Sequence, residues 1–246
     1  MEPMKTVLVI DDETATLTMF RLFLNAYGYS VITADSGETG LEMVREHHPG
    51  IVFTDLKMPG MDGFEVLRQI KKTAPATEVI VITGHGDMDQ VVRALNLDAT
   101  DFINKPIGRS ALDAALRRAE ARLEADRPDG VPIEVDISSG VAIVSVRNTL
   151  TARHKSLLKA SLQRARDSGA DGIVINFDDH SAVNGTGIAL LTRLLTEAKA
   201  QGMQVCIAGL SENFNTIFDM VGITRVAPCV DTVEAAISVI DRNETA

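Results

Sequence analysis

The chain has 246 residues, 45% of them apolar and 24% charged, with a formal net charge of −10. That length allows two ordinary domains with proper cores, and the acidic balance leaves no electrostatic footprint for DNA or RNA. With no Trp and two Tyr there is no aromatic platform for single-stranded nucleic acid, and no apolar run approaches the roughly 20 residues of a membrane span.

In chain order, the opening MEPMKTVLVIDD lacks a signal-peptide apolar segment because Asp11-Asp12 end the apolar run early, so a cytoplasmic location is expected. Residues 5–124 then alternate strand-like and helix-like patterns five times. Strand candidates are residues 6–10, 29–33, 51–54, 79–82 and 101–103. Between them lie amphipathic stretches such as Leu17, Phe20 and Leu24, and Leu41 with Val44 after the Ser36-Gly37 start. The segment IVFTDLKMPGMDG (51–63) joins a buried strand, Asp55 at its end, a cluster of turn residues and a helix carrying Phe64, Leu67 and Ile70. Such alternation predicts a parallel sheet with helices on both faces. A helix from about 109 to 124 carries Leu112, Leu116, Ala119 and Leu123 at heptad-like spacing. Leu112 and Leu116 are expected to pack on the sheet. Ala119 and Leu123 are expected to lie beyond the end of the core, where they could carry a homodimer seam.

Asp126-Arg127-Pro128-Asp129-Gly130 breaks that helix. We therefore expect one domain over 1–124, a linker over 125–130 and a second α/β domain over 131–246. The second half opens with two alternating runs, 133–137 and 141–146, whose Ser138-Ser139-Gly140 connection signals a hairpin. An amphipathic stretch over 151–168, a strand over 172–177, a polar loop, a helix over 187–200 and a strand over 203–208 follow. A helix with Phe214, Ile217, Phe218 and Val221 and a last helix over 232–240 complete the unit. Cys206 and Cys229 have apolar neighbours and no CxxC spacing, which reads as buried reduced thiols.

The chemistry gathers at strand ends. Asp11 and Asp12 follow the first strand, Asp55 ends the third, Thr83 the fourth, and Lys105-Pro106 the fifth, so all can face one pocket across the top of the sheet. Three carboxylates there repel one another unless a cation is bound, and Mg²⁺ suits an all-oxygen site with room for a phosphate group. Lys105 supplies a fixed positive charge and the Thr83 hydroxyl a donor, so an aspartyl-phosphate on Asp55 is the natural chemistry. A dehalogenase-type phosphatase also uses an Asp nucleophile and Mg²⁺. It needs a second acid two residues later, where Lys57 stands.

Residue by residue, Asp11-Asp12, Asp55, Thr83 and Lys105-Pro106, with MPGMDG and the ITGHGD segment, resemble response-regulator receiver domains over about residues 4–122. The resemblance implies a flavodoxin-like, doubly wound five-stranded parallel sheet in strand order 2-1-3-4-5. It also implies a histidine kinase partner that phosphorylates Asp55, and Mg²⁺ held by Asp12, Asp55 and the Lys57 main chain, with Asp11 acting through water. Thr83 and Phe102 would be the switch residues, although Phe102 also reads as plain core.

GIVINFDDHSAVNGTGIALLTRLL with FDMVGITRV downstream resembles STAS domains, the fold of anti-anti-sigma factors, over about 131–242. The family's phosphorylated Ser falls at Gly185 and its preceding acid at Asn184, so the usual serine switch is lost. Thr186 is either a substitute acceptor or an N-cap-type hydroxyl. Asp178, Asp179 and His180 read as a solvated loop, and Asn148, Thr149 and Thr151 as caps or weak interface candidates. The resemblance implies an anti-sigma factor or switch kinase as output partner. The alternative is a structural oligomerisation or small-ligand module. No nucleophile–base constellation follows residue 130, so an output enzyme is not expected.

Overall fold

The computed structural model describes residues 5–84, 86–125, 133–138, 140–147, 150–151, 154–178 and 181–244. Of the expected linker at 125–130, residues 126–130, together with His85, Ser139, Asn148, Thr149, Asp179 and His180, lie outside the described residues. The chain divides into two compact units, Met1–Asp126 and Arg127–Ala246.

In the first unit, β1 (Thr6–Ile10), β2 (Ser30–Ala34), β3 (Ile51–Asp55), β4 (Glu78–Thr83) and β5 (Asp101–Asn104) alternate with five helices. These are α1 (Thr14–Ala26), α2 (Gly37–His47), α3 (Gly63–Thr73), α4 (Met88–Asn96) and α5 (Arg109–Ala125). The strands form one parallel sheet in the order β2-β1-β3-β4-β5, as expected. Helices cover both faces, so β3 and β4 are buried at every position, and their near-continuous apolar sequences reflect that. The Asp62 side chain caps α3 by accepting the Glu65 N–H at 2.8 Å. At Gly63 a Cβ would stand 2.0 Å from the Asp55 carbonyl oxygen. The Asp-Gly pair thus lets α3 start hard against the end of β3, directly under Asp55.

One expectation is overturned. Ala119 is fully buried in the core cluster of Val7, Phe20, Phe53, Ile82 and Leu116, and Leu123 packs against that cluster. The reason is length. A 17-residue helix spans about 25 Å, whereas a five-residue strand spans about 17 Å, so α5 reaches past the strand bottoms to the loop at Gly50. A Cβ on Gly50 would meet Leu123 at 3.3 Å. Both residues serve their own domain's core, and the homodimer seam loses its apolar residues. Beside them the unit buries an ion pair, Arg118 with Asp101, at 3% and 0% exposure. The Arg118 Nε donates to Asp101 Oδ2 at 2.7 Å.

The second unit holds a five-stranded sheet in the order β10-β9-β8-β7-β6. Its strands are β6 (Ile133–Ser138), β7 (Val141–Val146), β8 (Gly172–Phe177), β9 (Gln204–Ala208) and β10 (Cys229–Val230). The pair β6–β7 is antiparallel, the expected hairpin, and the other pairings are parallel. Helices α6 (Lys155–Asp167), α7 (Gly185–Ala200), α8 (Glu212–Met220) and α9 (Val233–Glu244) complete it. The α9 residues Ala236 and Ile240 pack on Val141, Val174, Cys206 and Ala208 of the sheet. Helix α7 starts at Gly185, two residues earlier than the pattern indicates, and β10 is a two-residue strand that the pattern does not show. Both cysteines are free thiols. Cys206 is buried and Cys229 half-buried, and burial pushes each above its ordinary value. Among the described residues, no helix is long and apolar enough to cross a membrane.

Candidate functional site

The pocket sits where β1, β3, β4 and β5 end. Hydrogen bonds continue the ladders past those ends and fix the residues there. The Asp11 N–H donates to Ala34 O at 3.1 Å, Leu56 N–H to Ile82 O at 3.0 Å, and Lys105 N–H to Thr83 O at 2.8 Å. Asp11, Asp55 and Thr83 are 0%, 6% and 1% exposed, while Asp12 stands at the rim. One carboxylate oxygen from each of Asp11, Asp12 and Asp55 lies within 4.8 Å of the others.

Lys105, on the cis Lys105-Pro106 peptide, reaches across all of this. Its Nζ lies 2.8 Å from Asp55 Oδ2, 3.2 Å from Asp11 Oδ2 and 3.3 Å from Glu13 Oε2. Burial alone would lower the ammonium's pKa. The hydrogen bond that Lys105 donates to Asp55, with the charges of Asp55 and Asp11, outweighs burial and raises it. Burial pushes the Asp11 carboxyl above its ordinary value, against the Glu13 N–H and Lys105. A hydrogen bond from Thr16 and the Lys105 charge hold the Glu13 carboxyl below its ordinary value. The Lys57 main-chain N–H donates to Asp55 Oδ1 at 3.3 Å, and its side chain pairs with Asp87 Oδ2 at 2.6 Å.

This charge balance is incomplete. One ammonium does not neutralise three carboxylates, and among the described residues the buried Thr83 hydroxyl has no hydrogen-bond partner. An all-oxygen donor set with surplus negative charge fits a hard divalent cation, and the cluster is typical of receiver Mg²⁺ sites. The structure therefore brings together Asp11, Asp12, Asp55, Thr83, Lys105 and the Lys57 main chain. Phe102 is fully buried and pairs in register with Val81. Sequence reading missed Glu13 and Asp87. Glu13 stands directly after Asp11-Asp12, yet no local spacing shows that Lys105, 92 positions away, bonds to it.

The loop before α7 is organised differently. Asn184 is the N-cap, and its Oδ1 accepts the Gly187 N–H at 2.8 Å and the Thr186 hydroxyl at 2.9 Å. Thr186 is thus not the capping residue but a donor to the cap, because the helix starts earlier than expected. The loop is pinned by a parallel bridge between Leu150 and Val183, and a Cβ on Gly187 would stand 2.0 Å from Leu150 O. Thr151 is half-buried, its N–H donating to His154 Nδ1 at 3.1 Å. Of the acidic loop only Asp178 is described, where its Oδ1 accepts the Ser181 hydroxyl at 2.6 Å.

Comparison with known proteins follows the same division. The family described as response regulator receiver domain matches residues 7–117, and the STAS domain family matches residues 132–236. Transcriptional regulatory protein AfsQ1 of Streptomyces coelicolor is 38% identical over 126 residues, 51% of this chain and 56% of that protein. Transcriptional regulatory protein FixJ of Rhizobium meliloti is 33% identical over 155 residues, 63% of this chain and 72% of that protein. The chain thus spans little more than half the length of AfsQ1. The crystal structure of a response regulator receiver domain protein from Clostridium thermocellum is similar over 50% of this chain and 98% of that one, with a TM-score of 0.47 and 34% identity. With a receiver domain and its three-aspartate cluster followed by a STAS domain, the chain belongs to the response regulators.

Proposed function

We propose that Asp55 is the phosphoacceptor and that its phosphorylation switches protein binding by the STAS domain. The observation that carries this is the Asp55 carboxylate itself, nearly buried, held 2.8 Å from Lys105 and set beside Asp11 and Asp12. An Asp55 oxygen attacks the phosphorus of the kinase's phosphohistidine. The new P–O bond forms as the P–N bond breaks, and the imidazole nitrogen keeps the electron pair and takes up a proton. Asp11, Asp12, Asp55 and the Lys57 main chain would hold Mg²⁺, which would supply charge neutralisation for the transferring group. Lys105 orients the attacked carboxylate and then neutralises the phosphoryl oxygens. The Thr83 hydroxyl donates to one of those oxygens and so acquires the partner it lacks. A shift of Thr83 passes to β5 through the Lys105 N–H to Thr83 O bond, which makes Phe102 the buried element to be repacked.

In this reading the output partner is an anti-sigma factor or switch kinase, because Gly185 leaves the STAS loop without a hydroxyl at its usual control point. A second reading, a structural oligomerisation or small-ligand module, is favoured by a groove of about 760 Å³ between β6, β7 and α6, within the size range of ligand sites. The chemistry is tested by incubating the protein with acetyl phosphate and Mg²⁺. We expect an acid-stable, base-labile adduct that is absent from Asp55→Asn, and an adduct that persists in that variant sinks the proposal. A pull-down with and without the phosphoryl group separates the two output readings. A phosphorylation-dependent partner set supports the first and an unchanged one the second.

A further inference from the structure

Asp87 occupies the N-cap position of α4, where an aspartate side chain ordinarily accepts an N–H of the first turn. Here it makes no such bond. Its Oδ2 is turned instead to the Lys57 ammonium, 2.6 Å away. Lys57 is 61% exposed, and its own N–H already donates to Asp55 Oδ1. One lysine thus touches Asp55 through its main chain and the α4 cap through its side chain, and the cap is diverted from its helix to hold it.

We propose that Lys57 is a second phosphoryl-binding cation, held in reserve by Asp87, and that its transfer to the phosphoryl group on Asp55 releases Asp87 to cap α4. This rests on the reading of Asp55 as phosphoacceptor. An aspartyl-phosphate brings negative charge to within reach of a flexible four-carbon side chain rooted two residues away, and a dianionic phosphoryl group outcompetes a single carboxylate for that ammonium. Once freed, the Asp87 carboxylate turns to the Asp89 and Gln90 N–H groups. The Gln90 N–H now donates to Asp87 O, at 2.9 Å. Loading of Asp55 is thereby coupled to the start of α4 by an exchange of ion-pair partners, in addition to the Thr83 route.

The full chain is titrated with beryllofluoride, a phosphoryl mimic, at saturating Mg²⁺, while the Asp89 and Gln90 amides are followed by NMR. Lys57→Ala is expected to weaken binding of the mimic about tenfold, the loss of one charge-assisted contact. Its two amides should stand near their loaded positions before any mimic is added. Lys57→Arg should restore binding, and Asp87→Asn should tighten it several-fold while abolishing the amide shift. A Lys57→Ala protein that binds like wild type, or amides that ignore the mimic in wild type, overturns the proposal and leaves the Asp55 reading intact. Wild-type protein that does not take up the mimic overturns both.

Discussion

The two domains each place a polar cluster where strands end and a helix begins, yet they treat charge in opposite ways. The receiver pocket gathers Asp11, Asp12 and Asp55 around a single Lys105 and leaves the Thr83 hydroxyl unpartnered. The STAS loop presents a neutral Asn184 whose carbonyl oxygen already accepts two hydrogen bonds. The same contrast runs through the packing. The receiver buries Arg118 with Asp101, whereas the Glu134–Arg147 and Arg193–Glu197 pairs of the STAS domain are exposed. Unbalanced charge marks a site built for an incoming group, and satisfied polar groups mark one built for stability.

Substitutions can break or sharpen this contrast. The largest effect is expected at the buried pair. Arg118→Ala strands the Asp101 carboxylate, which burial already holds above its ordinary pKa, and should cost about 3–5 kcal/mol in chemical denaturation. Arg193→Ala removes an exposed pair and should cost no more than about 0.5 kcal/mol.

Next comes metal linkage. Mg²⁺ should raise the receiver's melting temperature and EDTA should reverse the gain, with the STAS transition unmoved. Asp11→Asn should lose most of that gain while raising the melting temperature of the metal-free protein by a few degrees. The sign follows from burial. Because the folded pKa of Asp11 lies above its unfolded value, ionising it costs folded-state stability. That cost is complete above the folded pKa and absent below the unfolded value of about 3.9. The advantage of the variant should therefore appear at neutral pH and vanish on acidification to about pH 3. A modest effect is expected in the STAS loop, where Asn184→Ala removes a cap at a cost of about 1 kcal/mol. A larger response of that loop to Mg²⁺ or phosphodonor than of the receiver would break the contrast.

Much of this is legible in the sequence. Strands buried on both faces read as apolar runs, and the pocket residues fall at or within two positions of the end of each run, so β1 to β5 and the Asp11, Asp55, Thr83 and Lys105 positions emerge together. What escapes is long-range or geometric. The Glu13 bond to Lys105 and the diversion of Asp87 to Lys57 depend on which loops meet, and local periodicity does not encode that. Ala119 and Leu123 are misjudged because the depth reached by α5 depends on helix rise against strand rise. Asn184 reads as a degenerate phosphorylation motif, and its role as a cap becomes visible only once α7 is seen to start at Gly185.

The central claim is that phosphoryl control of this chain resides in the receiver pocket and not in the STAS loop. The direct measurement is peptide-level localisation of the label after the full chain reacts with its histidine kinase or with acetyl phosphate in Mg²⁺. All label is expected on the peptide containing Asp55, and none on the peptide containing Thr186. Label on Thr186, or label retained by Asp55→Asn, would contradict the account.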